Sequence, residues 1–109
     1  MENTDIAWLA GILEGEACFD FYQYKSSKKT TKYPRIRVEM RDRDIIERVK
    51  KIMGGGSVCI IKGKQENHST TYIVRLCDRK KLKPVLEAIL PFMSERRSTR
   101  ILEMIEYCE

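Results

Sequence analysis

The chain of 109 residues is 42% hydrophobic and 34% charged, with a net charge of +5, the balance of a globular protein with a modest preference for polyanionic partners. No apolar run approaches the roughly 18 residues of a membrane span, and the N-terminal segment is acidic where a secretory signal is basic. The 4 cysteines also lack the paired spacing of a zinc site. We therefore expect one domain over residues 1–109 that contains no membrane segment and lies in the cytoplasm.

Hydrophobic periodicity predicts helices and strands in the order α-β-β-α-β-β-α-α. A helix over residues 5–16, capped by Thr4 or Asp5, precedes strands over 18–25 and 34–41 that are separated by a polar turn. The later predicted elements are a helix over 42–53 ended by the glycines at 54–56, strands over 57–62 and 70–77, and helices over 79–89 and 94–107.

Alternation along the predicted strands separates apolar from charged side chains, because successive residues of a strand point to opposite faces. The apolar face would carry Phe19, Phe21, Ile36, Val38 and Val74. The opposite face would carry Tyr22, Tyr24, Arg35, Arg37, Glu39, Arg41 and Arg75. The pattern predicts a sheet with one apolar face and one basic face.

The first helix carries small residues spaced by four, namely Ala7, Gly11 and Gly15, with Ala10 beside them. Each internal glycine costs a helix about 0.8–1 kcal/mol relative to alanine, so a compensating contact is expected. A stripe without side chains lets another backbone approach closely, and a second copy of the same helix is the natural partner. The alternative is that the glycines pack against the domain's own sheet.

The segment "LAGILEGEA", residues 9–17, resembles the signature of the LAGLIDADG homing endonucleases, and "EGEACF" is close to the variant ending "DGEGCF". The resemblance extends over nearly the whole chain. It implies an α+β fold of the type αββαββα, with a saddle-shaped antiparallel sheet and a C-terminal helix. Ala17 departs from the motif, which ends in glycine, so any extra backbone freedom needed there would be lost.

The same resemblance implies a homodimer, because this chain has one motif helix where self-sufficient members have two. The residues expected at the two-fold interface are Ala7, Ala10, Gly11, Glu14 and Gly15. Glu14 matches the earlier acid of the motif and is interpreted as structural, with a catalytic role as the alternative.

In that family, double-stranded DNA lies on the basic face of the sheet. Arginine can form two hydrogen bonds with a guanine edge, whereas lysines in a polar turn are expected to contact phosphate. Glu39 either accepts a hydrogen bond from cytosine or pairs with an arginine. The candidate DNA contacts are Tyr22, Tyr24, Arg35, Arg37, Glu39, Arg41 and Arg75, together with Lys25, Lys28, Lys29 and Lys32 in the turn.

Glu16 is the candidate metal ligand. It ends the predicted helix, where the negative end of the macrodipole disfavours a carboxylate by about 0.3–1 kcal/mol. With a second Glu16 supplied by the partner, a divalent cation such as Mg²⁺ is the simplest means of neutralisation. By motif position, Glu16 also corresponds to the family's metal-binding acid.

A basic catalytic residue, commonly lysine, is expected from the family after the segment "LPF". This chain has Arg96 and Arg97 at about that position and no lysine, and arginine does not readily shuttle a proton. The alternative is that both arginines simply occupy the exposed first turn of the last helix.

Two functions follow from these residues. The first is a site-specific, Mg²⁺-dependent DNA endonuclease that acts as a homodimer on a pseudo-palindromic site. The second is a non-cleaving nucleic-acid-binding module of the same fold, either a repressor or an RNA-splicing maturase. Glu16 favours the first function, whereas Ala17 and the missing lysine favour the second.

Overall fold

The computed structural model describes residues 1–26, 29–63 and 70–109, with the side chains of residues 24–26 and 29–30 outside the description. The predicted order of elements is confirmed. In chain order the elements are α1 (Asn3–Glu16), β1 (Ala17–Ser26), β2 (Lys29–Met40), α2 (Arg43–Met53), β3 (Ser57–Ile61), β4 (Thr71–Leu76), α3 (Arg79–Ile89), a 3₁₀ turn (Leu90–Phe92) and α4 (Glu95–Cys108).

The four strands form one antiparallel sheet in the order β1-β2-β4-β3. Alternate residues of the central strands, such as Ile36, Val38 and Val74, are buried in a single hydrophobic core together with side chains from all four helices. The helices therefore cover one face of the sheet and leave the other without a helical layer. None of the helices in the described ranges combines the length and apolar character needed to cross a bilayer.

The first hairpin is longer than predicted, because β2 begins at Lys29 and not at Pro34. Its extra residues pair with β1 in register, with Lys32 opposite Gln23 and Thr31 opposite Tyr24. Threonine and tyrosine favour strands when such cross-strand partners are available. Pro34 is tolerated inside β2 because β4 pairs only with the stretch from Ile36 onward, which leaves one side of the strand without a partner that needs a donor.

Helix α1 begins earlier than predicted, with Glu2 at the N-cap position and no side-chain cap. The prediction of Thr4 or Asp5 as the cap is wrong, since both lie inside the first turn, where the carboxylate of Asp5 still suits the positive end of the helix dipole. At the other end, the N–H of Ala17 donates to the carbonyl of Leu13. Ala17 has φ −85°, an ordinary value for any L-residue, so the junction does not require the glycine of the motif.

Helix α3 is well capped but carries a proline. The side chain of Asp78 accepts a hydrogen bond from the Lys80 amide at 3.0 Å, which stabilises the start of the helix. Pro84 lies in the helix interior and its side chain is exposed. It removes one backbone hydrogen bond and crowds the carbonyl of Lys80, four residues earlier.

We predict that Pro84→Ala stabilises the protein by up to about 3 kcal/mol, since alanine restores the helical hydrogen bond at an exposed position. The measurement is the free energy of unfolding in urea. The control is Glu87→Ala, an exposed residue of the same helix, which should change stability by less than about 0.5 kcal/mol. A Pro84→Ala midpoint at or below that of the wild type would contradict the prediction.

Candidate functional site

The uncovered side of the sheet, called here the outer face, combines arginines with polar and aromatic side chains. The structure places Tyr22, Arg35, Arg37, Glu39 and Arg75 there, on the side predicted from alternation. In strand register, the described residues of the outer face include Cys18, Asp20, Tyr22, Tyr33, Arg35, Arg37, Glu39, Ile73 and Arg75, together with Ser57, Cys59 and Ile61 of the edge strand β3.

Arg35 is held by Asp20, its neighbour across the β1–β2 ladder. The Nε atom donates to Oδ1 at 2.7 Å and Nη2 donates to Oδ2 at 3.3 Å. The hydrogen bond to Asp20 raises the pKa of the Arg35 guanidinium, which therefore remains charged at any pH of interest. The guanidinium also lies 5.3 Å from the ring centroid of Tyr22. Asp20 thus neutralises and orients one of the predicted DNA-reading arginines.

Arg37 and Arg75 face each other directly across β2 and β4. Neither makes an ion pair with any residue in the described ranges, although Arg75 Nη1 donates weakly to the Cys59 sulfur at 3.6 Å. Like charges directly opposite in a sheet are destabilising. A bound polyanion would relieve that repulsion, so this pair is a candidate anion-binding feature of the outer face.

Two predicted DNA contacts lie elsewhere. Arg41 is beyond the end of β2, in the bend before α2, so the alternation that placed it on the outer face does not apply. Lys32 belongs to β2 and not to a turn, and its ammonium group lies 5.9 Å from the ring centroid of Phe21, on the helix side of the sheet. Lys28 lies outside the described residues. Tyr24, Lys25 and Lys29 lie in the hairpin strands, but their side chains are outside the description.

Sequence reasoning missed three features of the outer face. Ile73 is 2% exposed although no helix covers it, a position that alternation with Arg75 would have revealed. Tyr33 lies opposite Tyr22 and is also exposed. Arg79, at the start of α3, places its guanidinium 5.7 Å from the ring centroid of Tyr33 and so brings positive charge to the border of this face.

The small-residue stripe of α1, namely Ala7, Gly11 and Gly15, is exposed. A β-carbon built at either glycine would meet nothing within 4 Å. The alternative that the glycines pack against the domain's own sheet is therefore wrong. Ala10, predicted on the same surface, is only 2% exposed and belongs to the chain's own core.

Glu16 is the last residue of α1, and its side chain is exposed. It has no hydrogen-bond or ion-pair partner in the part of the chain that the structure describes. Within that part, no cluster of three potential metal ligands occurs. Mg²⁺ commonly binds through one or two protein carboxylates together with water and substrate phosphates, so an uncommitted Glu16 fits a metal site that phosphate completes.

The two arginines after the 3₁₀ turn differ in their surroundings. Arg96 is exposed. Arg97 is 18% exposed, pairs with Glu14 through Nε at 3.2 Å, and donates from Nη1 to the carbonyl of Ala17 at 2.7 Å. The interpretation of both as exposed first-turn residues is therefore wrong for Arg97. Both line an open groove of about 470 Å³ beside Cys18 and Phe19 at the start of β1.

Comparison with known protein families identifies the family to which this chain belongs. Residues 9–108 match the family model described as LAGLIDADG endonuclease. The chain belongs to the LAGLIDADG endonuclease family. A comparison with curated protein sequences found no significant match.

Solved structures of LAGLIDADG homing endonucleases share the fold of this chain. The homing endonuclease I-CvuI, in complex with its target and Ca²⁺, superposes with a TM-score of 0.79 at 18% identity over 97% of this chain and 66% of its own. The archaeal intron-encoded I-Vdi141I, complexed with DNA, gives a TM-score of 0.77 at 20% identity over 99% of this chain and 69% of its own. The group I intron-encoded I-CeuI, also complexed with DNA, gives 0.75 at 17% identity over 98% and 55%. This LAGLIDADG chain therefore spans roughly half to two-thirds of the length of these three structures.

Proposed function

We propose that this LAGLIDADG protein is a site-specific, divalent-metal-dependent DNA endonuclease that acts as a homodimer on a pseudo-palindromic duplex. The observation that carries the proposal is the placement of Glu16. An exposed and uncommitted carboxylate ends α1, and the same helix presents an exposed stripe of small residues.

Duplex DNA is the partner whose charge suits the outer face. The opposed Arg37 and Arg75 provide concentrated positive charge, and the exposed rings of Tyr22 and Tyr33 lie on the same surface. Most contacts between proteins and DNA go to the phosphate backbone, whereas arginine can also read guanine in the major groove. Structures of I-CvuI and I-Vdi141I, which share this fold, hold DNA.

Dimerisation through the small-residue stripe would bring two active sites together. Ala7, Gly11 and Gly15 leave room for a second helix backbone, and a two-fold axis would make the contact self-complementary. The axis would also place both Glu16 carboxylates near each other. The outer faces of the two protomers would be related by the same two-fold rotation. Because each protomer of such a dimer presents the same surface to one half of the DNA site, the two half-sites should be related by two-fold symmetry. The proposed target is therefore a pseudo-palindrome.

In the proposed hydrolysis, Glu16 holds the cation and the outer face holds the duplex in register. A bound Mg²⁺ would polarise the scissile phosphate and lower the pKa of a coordinated water. Arg96 is exposed and next in the chain to Arg97, so it is the residue proposed to stabilise charge on the phosphate. A guanidinium can do this without exchanging a proton.

One observation favours the second function, a non-cleaving binding module such as a repressor or an RNA-splicing maturase. Arg97 is occupied by Glu14 and Ala17, which leaves Arg96 as the single cation of that pair directed to solvent. An arginine does not readily act as a proton shuttle at neutral pH. The residues that bind DNA would be the same in both functions, so cleavage itself must separate them.

We predict that Asp20→Asn strengthens binding to duplex DNA at low salt, because it removes a negative charge and releases Arg35. One additional phosphate contact should steepen the slope of log affinity against log salt concentration by about 0.9. Fluorescence anisotropy over a salt series measures the slope. Glu47→Gln is the matched control, since Glu47 pairs with Arg43 at 3.9 Å on α2, on the helix side of the sheet. An Asp20→Asn slope equal to that of the control would show that Arg35 does not contact DNA phosphate.

We predict that Gly11→Leu yields a monomer, because the open space beside Gly11 within one chain is the space assigned to the partner helix. Size-exclusion chromatography with light scattering gives the mass in solution. Glu87→Leu adds a similar apolar side chain to an exposed site of α3 and should leave the dimer intact. If Gly11→Leu remains a dimer, the stripe is not the interface.

We predict that Glu16→Gln retains DNA binding but abolishes cleavage, because the amide keeps the shape of the side chain and lacks the charge that holds the cation. A pool of randomised duplexes is first enriched for binding in Ca²⁺ and then assayed for strand breaks in Mg²⁺. Glu47→Gln, an exposed substitution on α2, is the control and should cleave like the wild type.

The outcomes of this assay separate the two functions. Cleavage by the wild type and the control, but not by Glu16→Gln, supports the endonuclease. Tight wild-type binding without any breaks identifies the non-cleaving module. Cleavage that persists in Glu16→Gln shows that the active site lies elsewhere.

A further inference from the structure

Arg97 contacts residues that lie on either side of Glu16 in the sequence. Its Nε atom lies 3.2 Å from Glu14 Oε2, and its Nη1 donates at 2.7 Å to the carbonyl of Ala17. Glu14 and Ala17 stand two residues before and one residue after Glu16. One side chain from α4 thus contacts both sides of the candidate metal ligand.

Glu14 strengthens this connection through a second contact. Its Oε1 accepts a hydrogen bond from the Ser94 amide at 3.1 Å. Its Oε2 is buried and lies within ion-pair distance of Arg97, but without the alignment of a hydrogen bond. A buried carboxylate oxygen depends on a nearby positive charge, and in the described structure Arg97 provides it. The end of α1 is therefore tied to the start of α4 at three points.

The electrostatics of α1 also favour a cation at this position. The last turn of α1 contains no basic residue, although the negative end of a helix dipole favours one. The guanidinium of Arg97, only 18% exposed, supplies this charge from another helix. It also lies 5.5 Å from the ring centroid of Phe19, a buried side chain of β1, which further restricts where it can move.

We infer that Arg97 is a positioning residue for Glu16 and does not itself meet the scissile phosphate. This inference rests on the proposed endonuclease function and assigns different roles to the two adjacent arginines. Arg96 faces solvent, whereas two of the three guanidinium nitrogens of Arg97 are used within the protein. By fixing Glu14 and the Ala17 carbonyl, Arg97 holds the backbone that carries the metal-binding carboxylate.

The experiment measures how Arg97 variants use metal. Residues that orient a metal ligand typically contribute roughly 10–100-fold to metal affinity or activity. We expect Arg97→Ala to raise the Mg²⁺ concentration for half-maximal single-turnover cleavage at least tenfold. The Ca²⁺ concentration for half-maximal stabilisation of the DNA complex should rise in parallel, while metal-free DNA affinity stays within about twofold.

Two further variants keep the test informative if Arg97→Ala does not fold. Arg97→Lys can reach Glu14 or the Ala17 carbonyl but not both in the same geometry, so a partial shift in metal dependence is expected. Glu14→Gln should reproduce the shift, and the double variant should be far from additive, because both changes break one network. Arg43→Ala, which removes an exposed pair with Glu47 on α2, is the control and should retain wild-type metal dependence.

Each outcome bears on a different statement. Wild-type cleavage with unchanged Mg²⁺ and Ca²⁺ half-saturation in the Arg97 variants would overturn the positioning role and leave the endonuclease intact. Loss of metal-free DNA affinity in Arg97→Ala or Arg97→Lys would instead make Arg97 a DNA contact, which also overturns the inference. A wild-type protein whose DNA complex responds to neither metal and is never cleaved would overturn the proposed function and the inference together.

Discussion

The direct passage from α1 into β1 is the constraint on which the rest of the structure depends. Ala17 closes the helix through its N–H to Leu13 and is also the first residue of β1, paired with Val38. No loop separates the helix from the sheet, so the direction of one sets the direction of the other. The small-residue stripe, Glu16 and the outer face are therefore held in one fixed relationship.

This junction also explains why a departure from the family motif is harmless to the backbone. The motif ends in glycine, but Ala17 occupies an ordinary extended conformation and its side chain is 4% exposed within the core. Alanine gains a small amount of buried apolar surface and loses less conformational entropy on folding than glycine. Ala17 thus gives no structural reason to doubt the backbone geometry beside Glu16, in contrast to the expectation from sequence.

The outer face carries charges in an arrangement that stability alone does not favour. Arg35 is neutralised by Asp20 at 2.7 Å, whereas Arg37 and Arg75 are placed side by side in neighbouring strands. A sheet selected only for stability would pair each arginine with a carboxylate. Local conflicts of this kind tend to mark functional surfaces, where stability is given up for binding.

The sequence predicted most of what depends on local pattern. The order of elements, the apolar side of Ile36 and Val38, and the exposed glycines of α1 all follow from periodicity and spacing. The position of Arg97 does not, because its partners Glu14 and Ala17 lie about 80 residues earlier in the chain. No periodicity within α4 distinguishes Arg97, which is held by the protein, from Arg96, which is not.

The hairpin was mispredicted for a different physical reason. Its lysines and threonines suggested a polar turn, yet cross-strand pairing with β1 extended β2 to Lys29. Pairing of this kind depends on the partner strand and on register, which a local window does not contain. The same limit placed Lys32 with the turn, whereas the structure puts it beside Phe21 on the helix side.

The unequal lengths of β2 and β4 have a consequence for local opening of the sheet. From Ile36 to Val38, β2 lies between β1 and β4, whereas from Thr31 to Arg35 it pairs in the described sheet with β1 alone. Amides in the doubly flanked stretch should open only with the sheet as a whole, and those in the two-stranded ribbon should exchange with solvent through smaller fluctuations. The border between these regimes falls between Arg35 and Arg37. The outer face therefore has a rigid part and a part that opens more easily. A ligand that contacts both parts would reduce the conformational entropy of the two-stranded ribbon but hardly that of the doubly flanked stretch.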